Sequence, residues 1–524
     1  MKAPTRTAAV ACLALLLTQP LAGRAAAAVR TEQGLVSGTA TAEPGITLFA
    51  GLPYAAAPVG PLRWTPPAPA AAWAGVRKAD RFGPRCPQPA VFSGIHFRDA
   101  AMSEDCLTLN IWTPAPGAGT GLPVYVWIHG GAWITGAGSE PRYDGAALAK
   151  QGVVVVSLNY RLGVLGFLAH PGLADERDGQ TGNYGLMDQI AALNWVKRNI
   201  AAFGGDPNQV TAGGESAGAI SVSLLMVSPA AQGLFERAIG ESGSGIAVKS
   251  FTAPHSLADS LAVGRQLSER AGTDLAGLRA LPADKLLQAA AGLSFGPDID
   301  GAVLVEPPFA AFNEGSQAKI PLLAGWNRDE GLWFARYFFH LDPSPAAFTA
   351  RAKAAYGGRA DKLLALYPAA SEADGQKATD ELTSDTLIDF PTWVWLERQR
   401  DTAQMPVYRY QFDRQPAVPF HPAGDTSPKD WGVYHAAELD YVFHTLDGVD
   451  APWQPADRDL SDTMITAWAR FIRTGNPNGP GLPAWPVYDP AGGRAVMHFD
   501  AGTRVEPEDS LVLKRYRFLD DTVQ

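Results

Sequence analysis

Three things are scarce in this chain, and each scarcity removes a class of function. Cysteine is the first, with Cys12, Cys86 and Cys106 the only three among 524 residues. No His/Cys/Asp/Glu grouping has metal-ligand spacing, and no phosphate-cradling Gly loop or dinucleotide fingerprint occurs, so neither metal nor cofactor is implied. Positive charge is the second. Lys and Arg number 43 against 53 Asp and Glu, a net charge of −10. That balance argues against nucleic acid or an anionic membrane surface as a partner; plain solubility accounts for it. Long apolar runs are the third. Ala8 to Leu17 is a run of ten, too short to span a bilayer, and no other long run follows, so no stable membrane anchor is expected.

That one run has a different meaning. Lys2 and Arg6 make a basic start before it, and Ala26-Ala27-Ala28 offers an A-x-A cleavage site after it. Residues 1–28 therefore read as a signal peptide, with the mature chain starting near Val29 and exported to the periplasm or beyond. Removing Lys2, Arg6 and Arg24 leaves the mature chain near −13. Cys12 goes with the peptide, since Ala9-Val10-Ala11 lack the Leu of a lipoprotein site. Cys86 and Cys106 remain. An even pair in an oxidising compartment suggests one disulfide closing a short loop, worth about 3 kcal/mol by chain entropy; two buried free thiols are the alternative. What the chain has in quantity is apolar residues at 46%, with 54 Gly, 42 Pro and 14 Trp. These fit a large core with long loops and excursions. The length alone does not divide it into domains, because α/β folds run long.

The chain is organised around Val210–Val227, which contains Gly214-Glu215-Ser216-Ala217-Gly218. A G-x-S-x-G needs a strand before it and a helix after it. Val210-Thr211-Ala212 is β-favouring, and Ala217 to Val227 is apolar on every face, as a buried helix is. Upstream, Pro123 to Ile128 reads as a buried strand feeding His129-Gly130-Gly131-Ala132-Trp133. Glycines directly after a strand bare backbone N–H groups, which is how an oxyanion hole is made. Val153 to Tyr160 is a further apolar strand, and Asn183 to Asp188 opens a helix with Ile190, Leu193 and Val196 at helical spacing. Strand, helix, strand, elbow and helix in succession make a parallel, doubly wound α/β sheet. Gly34 to Pro67 begins as a hairpin broken at Glu43-Pro44-Gly45. Phe251 to Ala290 reads as a helical excursion from the sheet.

Several stretches carry a resemblance. Gly51 to Pro67 (G-L-P-Y-A-A-A-P-V-G-P-L-R-W-T-P-P), Ser103 to Asn110 (S-E-D-C-L-T-L-N), the stretch from Gly182 to Gly218, and the ending with Thr474-Gly475-Asn476-Pro477 and Trp485-Pro486-Val487-Tyr488 resemble the type-B carboxylesterase family. That family includes the cholinesterases, and its bacterial p-nitrobenzyl-esterase-like members look most similar. The resemblance covers nearly all of Val29 to Gln524. It implies an α/β-hydrolase fold in a single domain over 29–524. The large, mostly parallel central sheet is flanked by helices, with a small N-terminal hairpin region and helical excursions over an active-site gorge. It implies that Cys106 pairs with Cys86, and that Arg63–Glu104 and Arg161–Asp188 are structural ion pairs. It makes the N–H groups of Gly131, Ala132 and Ala217 the oxyanion donors, gives Ser242 the task of supporting the triad acid, and assigns Ser294 to Gly301 to the acyl pocket.

A serine hydroxyl needs a base, and the base an orienting acid. On this fold the order is Ser, acid, His, each at a strand end. Lys319 to Gly325 is a short apolar strand, and Asn327-Arg328-Asp329-Glu330-Gly331 follows it. Either acid can serve; the family's D-E-G pattern selects Glu330, leaving Asp329 as the runner-up, with a bland role as cap of the next helix. Tyr408 to Phe412 is a strand, so the base belongs in the loop beyond it, where His421 and His435 both fit. The stretch Gly432 to Tyr441 resembles the family's catalytic-His segment, with Ala436 where a Gly is frequent, and selects His435. His129 lies on the wrong side of Ser216 in chain order, and His444 and His498 fall in later elements, so these three read as structural. Glu215 is expected to be buried beside the nucleophile.

The expected activity is hydrolysis of small or aromatic carboxylic esters through an acyl-enzyme on Ser216, with a small-molecule ester as the partner and no cofactor. A catalytically silent binding domain on the same fold is the alternative from another class, and a narrow hydrolase of amides, lactones or polyesters is a third. Ten residues before Cys106, where cholinesterases carry a Trp, stands His96, which argues against acetylcholine. Trp133, Trp326, Trp333, Phe334, Tyr337, Phe338 and Phe339 flank the motifs and suit either an apolar pocket or the core. Oligomeric state is not legible.

Overall fold

The structure, a computed structural model, describes residues 28–91, 95–177, 179–246, 252–417 and 431–523. Residues 1–27, which hold most of the expected signal peptide, and His421 lie outside the described residues.

Runs such as Val-Tyr-Val-Trp-Ile cannot bury one face only, because alternate side chains leave a strand in opposite directions. Here both faces are covered. Val124, Val126 and Ile128 pack into one core cluster and Tyr125 and Trp127 into another, on opposite sides of the sheet. Val154 and Val156 divide from Val155 in the same way. The sheet has eleven strands: β1 Thr39–Ala40, β2 Thr47–Pro53, β3 Thr108–Thr113, β4 Leu122–Ile128, β5 Val154–Leu158, β6 Gly205–Glu215, β7 Arg237–Glu241, β8 Leu322–Asn327, β9 Val407–Phe412, β10 Ala495–Phe499 and β11 Arg504–Pro507. Their spatial order is β11-β10-β9-β8-β7-β6-β4-β5-β3-β2-β1. The run from β5 through β10 is parallel, and β11 and the β3, β2, β1 end pair antiparallel. The expected hairpin is β1–β2, turning through Glu43-Pro44-Gly45.

Helices fill both faces. Helix α1 (Tyr184–Asn199), α2 (Ala217–Leu225) and α3 (Phe390–Ala403) cover one side, and α4 (Pro455–Thr474) covers the other. The excursion after β7 forms three helices, Leu257–Ala271, Leu275–Ala280 and Ala283–Ala290, close to the stretch expected from sequence.

The scaffold pairs also form. Cys86 and Cys106 are disulfide-bonded. Arg63 contacts Glu104 at 2.5 Å and Arg161 contacts Asp188 at 2.8 Å, both arginines nearly buried. Three main-chain links carry the ladder one residue past the strand ends that matter below. Ser216 N–H donates to Glu241 O, Ser242 N–H to Gly325 O and Arg328 N–H to Phe412 O. The parallel strands β6, β7, β8 and β9 thus present their C-terminal ends in one row.

Candidate active site

Ser216 stands between β6 and α2 with φ 53° and ψ −124°. A residue with a Cβ avoids that region, and holding one there costs about 1–3 kcal/mol; the surrounding ladder and helix must enforce it. Such a turn lifts the side chain clear of the sheet. Among the described residues the Ser216 hydroxyl hydrogen-bonds to nothing. The turn is possible because its neighbours lack side chains. A Cβ on Gly218 would lie 2.0 Å from Ile128 O, and one on Gly130 would lie 2.6 Å from Glu215 Oε2 and 3.1 Å from Ser216 Cβ. Both glycines let the loop after β4 settle directly onto the elbow.

That loop is itself strained. Gly131, Ala132 and Trp133 have φ of 99°, 55° and 56°. The N–H groups of Gly131, Ala132 and Ala217 donate no hydrogen bond among the described residues. Ala217 is also the first residue of α2, where the helix dipole favours negative charge. The loop is braced from outside. Trp133 Nε1 donates to Ser221 Oγ on α2 at 3.0 Å, and the Gln88 side chain bonds to both Gly136 N–H and Gly136 O. His129 lies behind the loop, stacked on Tyr160 at 4.4 Å, and burial lowers its pKa to about 4. It is a neutral packing group.

Glu330 follows β8 and is fully buried. Its Oε2 lies 2.6 Å from His435 Nδ1. Its Oε1 accepts from Ser242 Oγ at 2.6 Å and from Asn327 N–H at 2.7 Å. Ser242 is held in place by φ 55° at the end of β7. The His435 Nε2 atom is 3.1 Å from Glu215 Oε1, outside hydrogen-bond geometry. Burial works to lower the His435 pKa, but the charges of Glu215 and Glu330 overcome it and push it up to about 9. Burial raises Glu215 to about 8, with His435 drawing it back. Glu438 is pushed up to about 7 by burial and by Glu330, and hydrogen-bonds Asn327 Nδ2 at 2.6 Å.

The structure therefore brings together Ser216, Glu215, Ser242, Glu330 and His435, with Gly131, Ala132 and Ala217 alongside. The other histidines stand elsewhere: His498 bonds Asp413 and His444 bonds Asp462. His96 is exposed. Asp329 departs from its expected role. It does not cap the helix that follows; its Oδ2 accepts the Val433 N–H at 2.7 Å. The aromatic set divides. Trp326 is core, under Arg409 at 3.7 Å, whereas Phe334 meets the His435 ring edge-on at 5.2 Å and Phe338 and Phe339 are exposed. Asn327, Gln88, Ser221 and Arg142, which holds Ala436 O, were not singled out by sequence. Their partners are distant in the chain, and no local pattern marks them. Among the described residues no group of three or more His, Cys, Asp or Glu is arranged to hold a metal ion.

Comparison with known proteins places the chain in a family. Residues 25–518 match the model of the carboxylesterase family. A para-nitrobenzyl esterase of Bacillus subtilis is 39% identical over 482 residues, covering 88% of this chain and 92% of that protein. A fumonisin B1 esterase of Sphingopyxis macrogoltabida is 38% identical over 486 residues, covering 88% and 84%. Among solved structures, a PNB esterase superposes with a TM-score of 0.81 at 35% identity, covering 94% of this chain and 99% of that one. A Geobacillus stearothermophilus carboxylesterase gives 0.79 at 37%, with the same coverage. The chain belongs to the carboxylesterase family: it is a carboxylic ester hydrolase on the α/β-hydrolase fold.

Proposed function

We propose that this protein is an exported serine carboxylesterase acting through a Ser216–His435–Glu330 triad on small or aromatic esters. The observation that carries the reading is the Glu330–His435 contact at 2.6 Å beside a serine forced to φ 53°. His435 Nε2 takes the Ser216 proton as Oγ attacks the ester carbonyl carbon. Glu330 holds the ring through Nδ1 and stabilises the imidazolium. The carbonyl oxygen becomes an oxyanion, met by the unclaimed N–H groups of Gly131, Ala132 and Ala217. The imidazolium gives its proton to the departing alkoxide, leaving an acyl-enzyme. Water, deprotonated by His435, then releases the acid and restores Ser216. Phe334 at the imidazole edge gives the site an apolar wall, which favours uncharged acyl and alcohol groups. One catalytic domain over 29–524 carries all of these groups. The basic start, short apolar run and A-x-A of residues 1–28, with the Cys86–Cys106 disulfide, support export.

The test is hydrolysis of p-nitrophenyl esters from acetate to laurate by the purified protein beside Ser216→Ala. Turnover in the parent and its loss in the variant are expected, and the chain-length optimum sizes the acyl pocket. Turnover that survives in Ser216→Ala would mean another nucleophile.

A further inference from the structure

The imidazole of His435 sits on a loop reached long after β9 ends at Phe412, so its own strand does little to fix it. The grip comes from the neighbouring strand. At the end of β8, Asp329 N–H donates to Val433 O at 3.0 Å, while Asp329 Oδ2 accepts Val433 N–H at 2.7 Å. Two polar groups of one residue are claimed by two polar groups of another, as in a single rung of a sheet. Asn327 Nδ2 adds a bond to Tyr434 O at 2.9 Å, and Arg142 Nη2 one to Ala436 O at 3.1 Å. The approach is close enough to dictate sequence. A Cβ on Gly432, which has φ 61°, would lie 2.3 Å from Asp329 Oδ2. Arg328 Nη2 steadies the same carboxylate at 3.0 Å, while its Nη1 donates to Asp413 O at 3.2 Å. The side chain at 329 thus grips the base loop, and the next residue along, Glu330, carries the acid.

Resting on the triad reading above, we propose that Asp329 is the positioning residue that sets His435 against Glu330: through Val433 it splints the base loop to the strand end that bears the acid. Asp329 touches no reacting atom. It removes the freedom of the loop to slide relative to β8, and so holds the Nδ1–Oε2 contact in register. An error of about 1 Å in such a contact is worth about 100-fold in rate.

The experiment compares the parent with Asp329→Ala, Asp329→Asn and Ser216→Ala on one p-nitrophenyl ester. Active sites are counted with a fluorescent phosphonate, so that unfolded protein does not enter kcat. In Asp329→Ala, kcat per labelled site should fall about 10- to 100-fold with KM little changed. The acid limb of the pH profile should move to lower pH. The imidazole is faced by Glu215 from the elbow, Glu330 from β8 and Glu438 from its own segment, and a ring that drifts from Glu330 loses part of what stabilises its protonated form. Asp329→Asn, whose Oδ1 can still accept from Val433, should recover most of the loss. A role confined to fold stability would reduce the labelled fraction without moving kcat per site or the acid limb. Unchanged kcat and acid limb in Asp329→Ala would overturn the proposal, as would Asp329→Asn being no better than Asp329→Ala. If Asp329→Ala yields no folded protein, Gly432→Ala, which forces the loop off the same carboxylate, must give the same kcat loss and limb shift, and its failure to do so would equally overturn it. Full turnover in Ser216→Ala would instead refute the underlying triad, whatever the Asp329 variants do.

Discussion

A histidine between two buried carboxylates is an unusual base, since each nitrogen faces an acid: Nδ1 meets Glu330 and Nε2 meets Glu215. Its pKa is pushed up to about 9 despite burial. Catalysis needs the neutral ring, so activity should rise with pH along a limb displaced upward from the ordinary histidine range. Replacing Glu215 by Gln removes one of the two charges, and the limb of kcat/KM should then fall by about one pH unit or more; a pH–rate profile of the variant beside the parent checks this. Chain order and strand ends narrowed the acid to Asp329 or Glu330 and the base to His421 or His435, and the resemblance to the carboxylesterase family selected Glu330 and His435. The role of Asp329 was not. Its partner is Val433, over a hundred residues away, and a main-chain N–H has no signature in sequence. The short polar turn before the helix made a cap the natural expectation, and the tertiary contact overrode it.

At the scale of elements, the elbow and the loop after β4 act as one unit because glycine lets them touch. Gly130→Ala would set a methyl 2.6 Å from Glu215 Oε2, and the loop would have to lift away from Ser216. The expected loss in kcat corresponds to about 2.7–4 kcal/mol, the cost of losing one oxyanion donor. Single-turnover acylation kinetics should place that loss in the chemical step, with the disulfide and fold intact. The sequence marked the existence of β4, β5 and β8 well, since each is a dense apolar run. It marked β6 poorly. The β-favouring run there is Val210 to Ala212, yet the strand extends over Gly205–Glu215. Asp206, Pro207 and Asn208 look like a turn, and the pairing with β4 shifts register between Leu122 and Val124. A bulge admits residues that a regular strand would not. The aromatic residues on either side of Glu330 were ambiguous for a related reason: the stretch from Trp326 to Phe339 delivers Trp326 to the core, Phe334 to the imidazole and Phe339 to solvent, and composition cannot sort side chains that differ only in direction.

For the molecule as a whole, the disulfide ties the segment after Gly83 back to the start of β3. It spans 20 residues, and losing it should cost about 3 kcal/mol by the chain-entropy account. Paired Cys86→Ser and Cys106→Ser substitutions should therefore lower the urea midpoint while leaving kcat nearly unchanged, since neither sulfur touches the site. The sheet that organises everything else also has two ends. One is β1, only two residues long; the other is β11, which is mostly exposed, ends at Pro507 and carries Arg504 and Glu506 paired at 2.8 Å. Neither offers a second chain a long, flat row of free N–H and C=O groups. Eleven strands of largely apolar sequence would otherwise be a template for growth. With both margins blunted and the net charge at −10, the ends of this wide sheet give a second copy little to extend, and like charge opposes its approach.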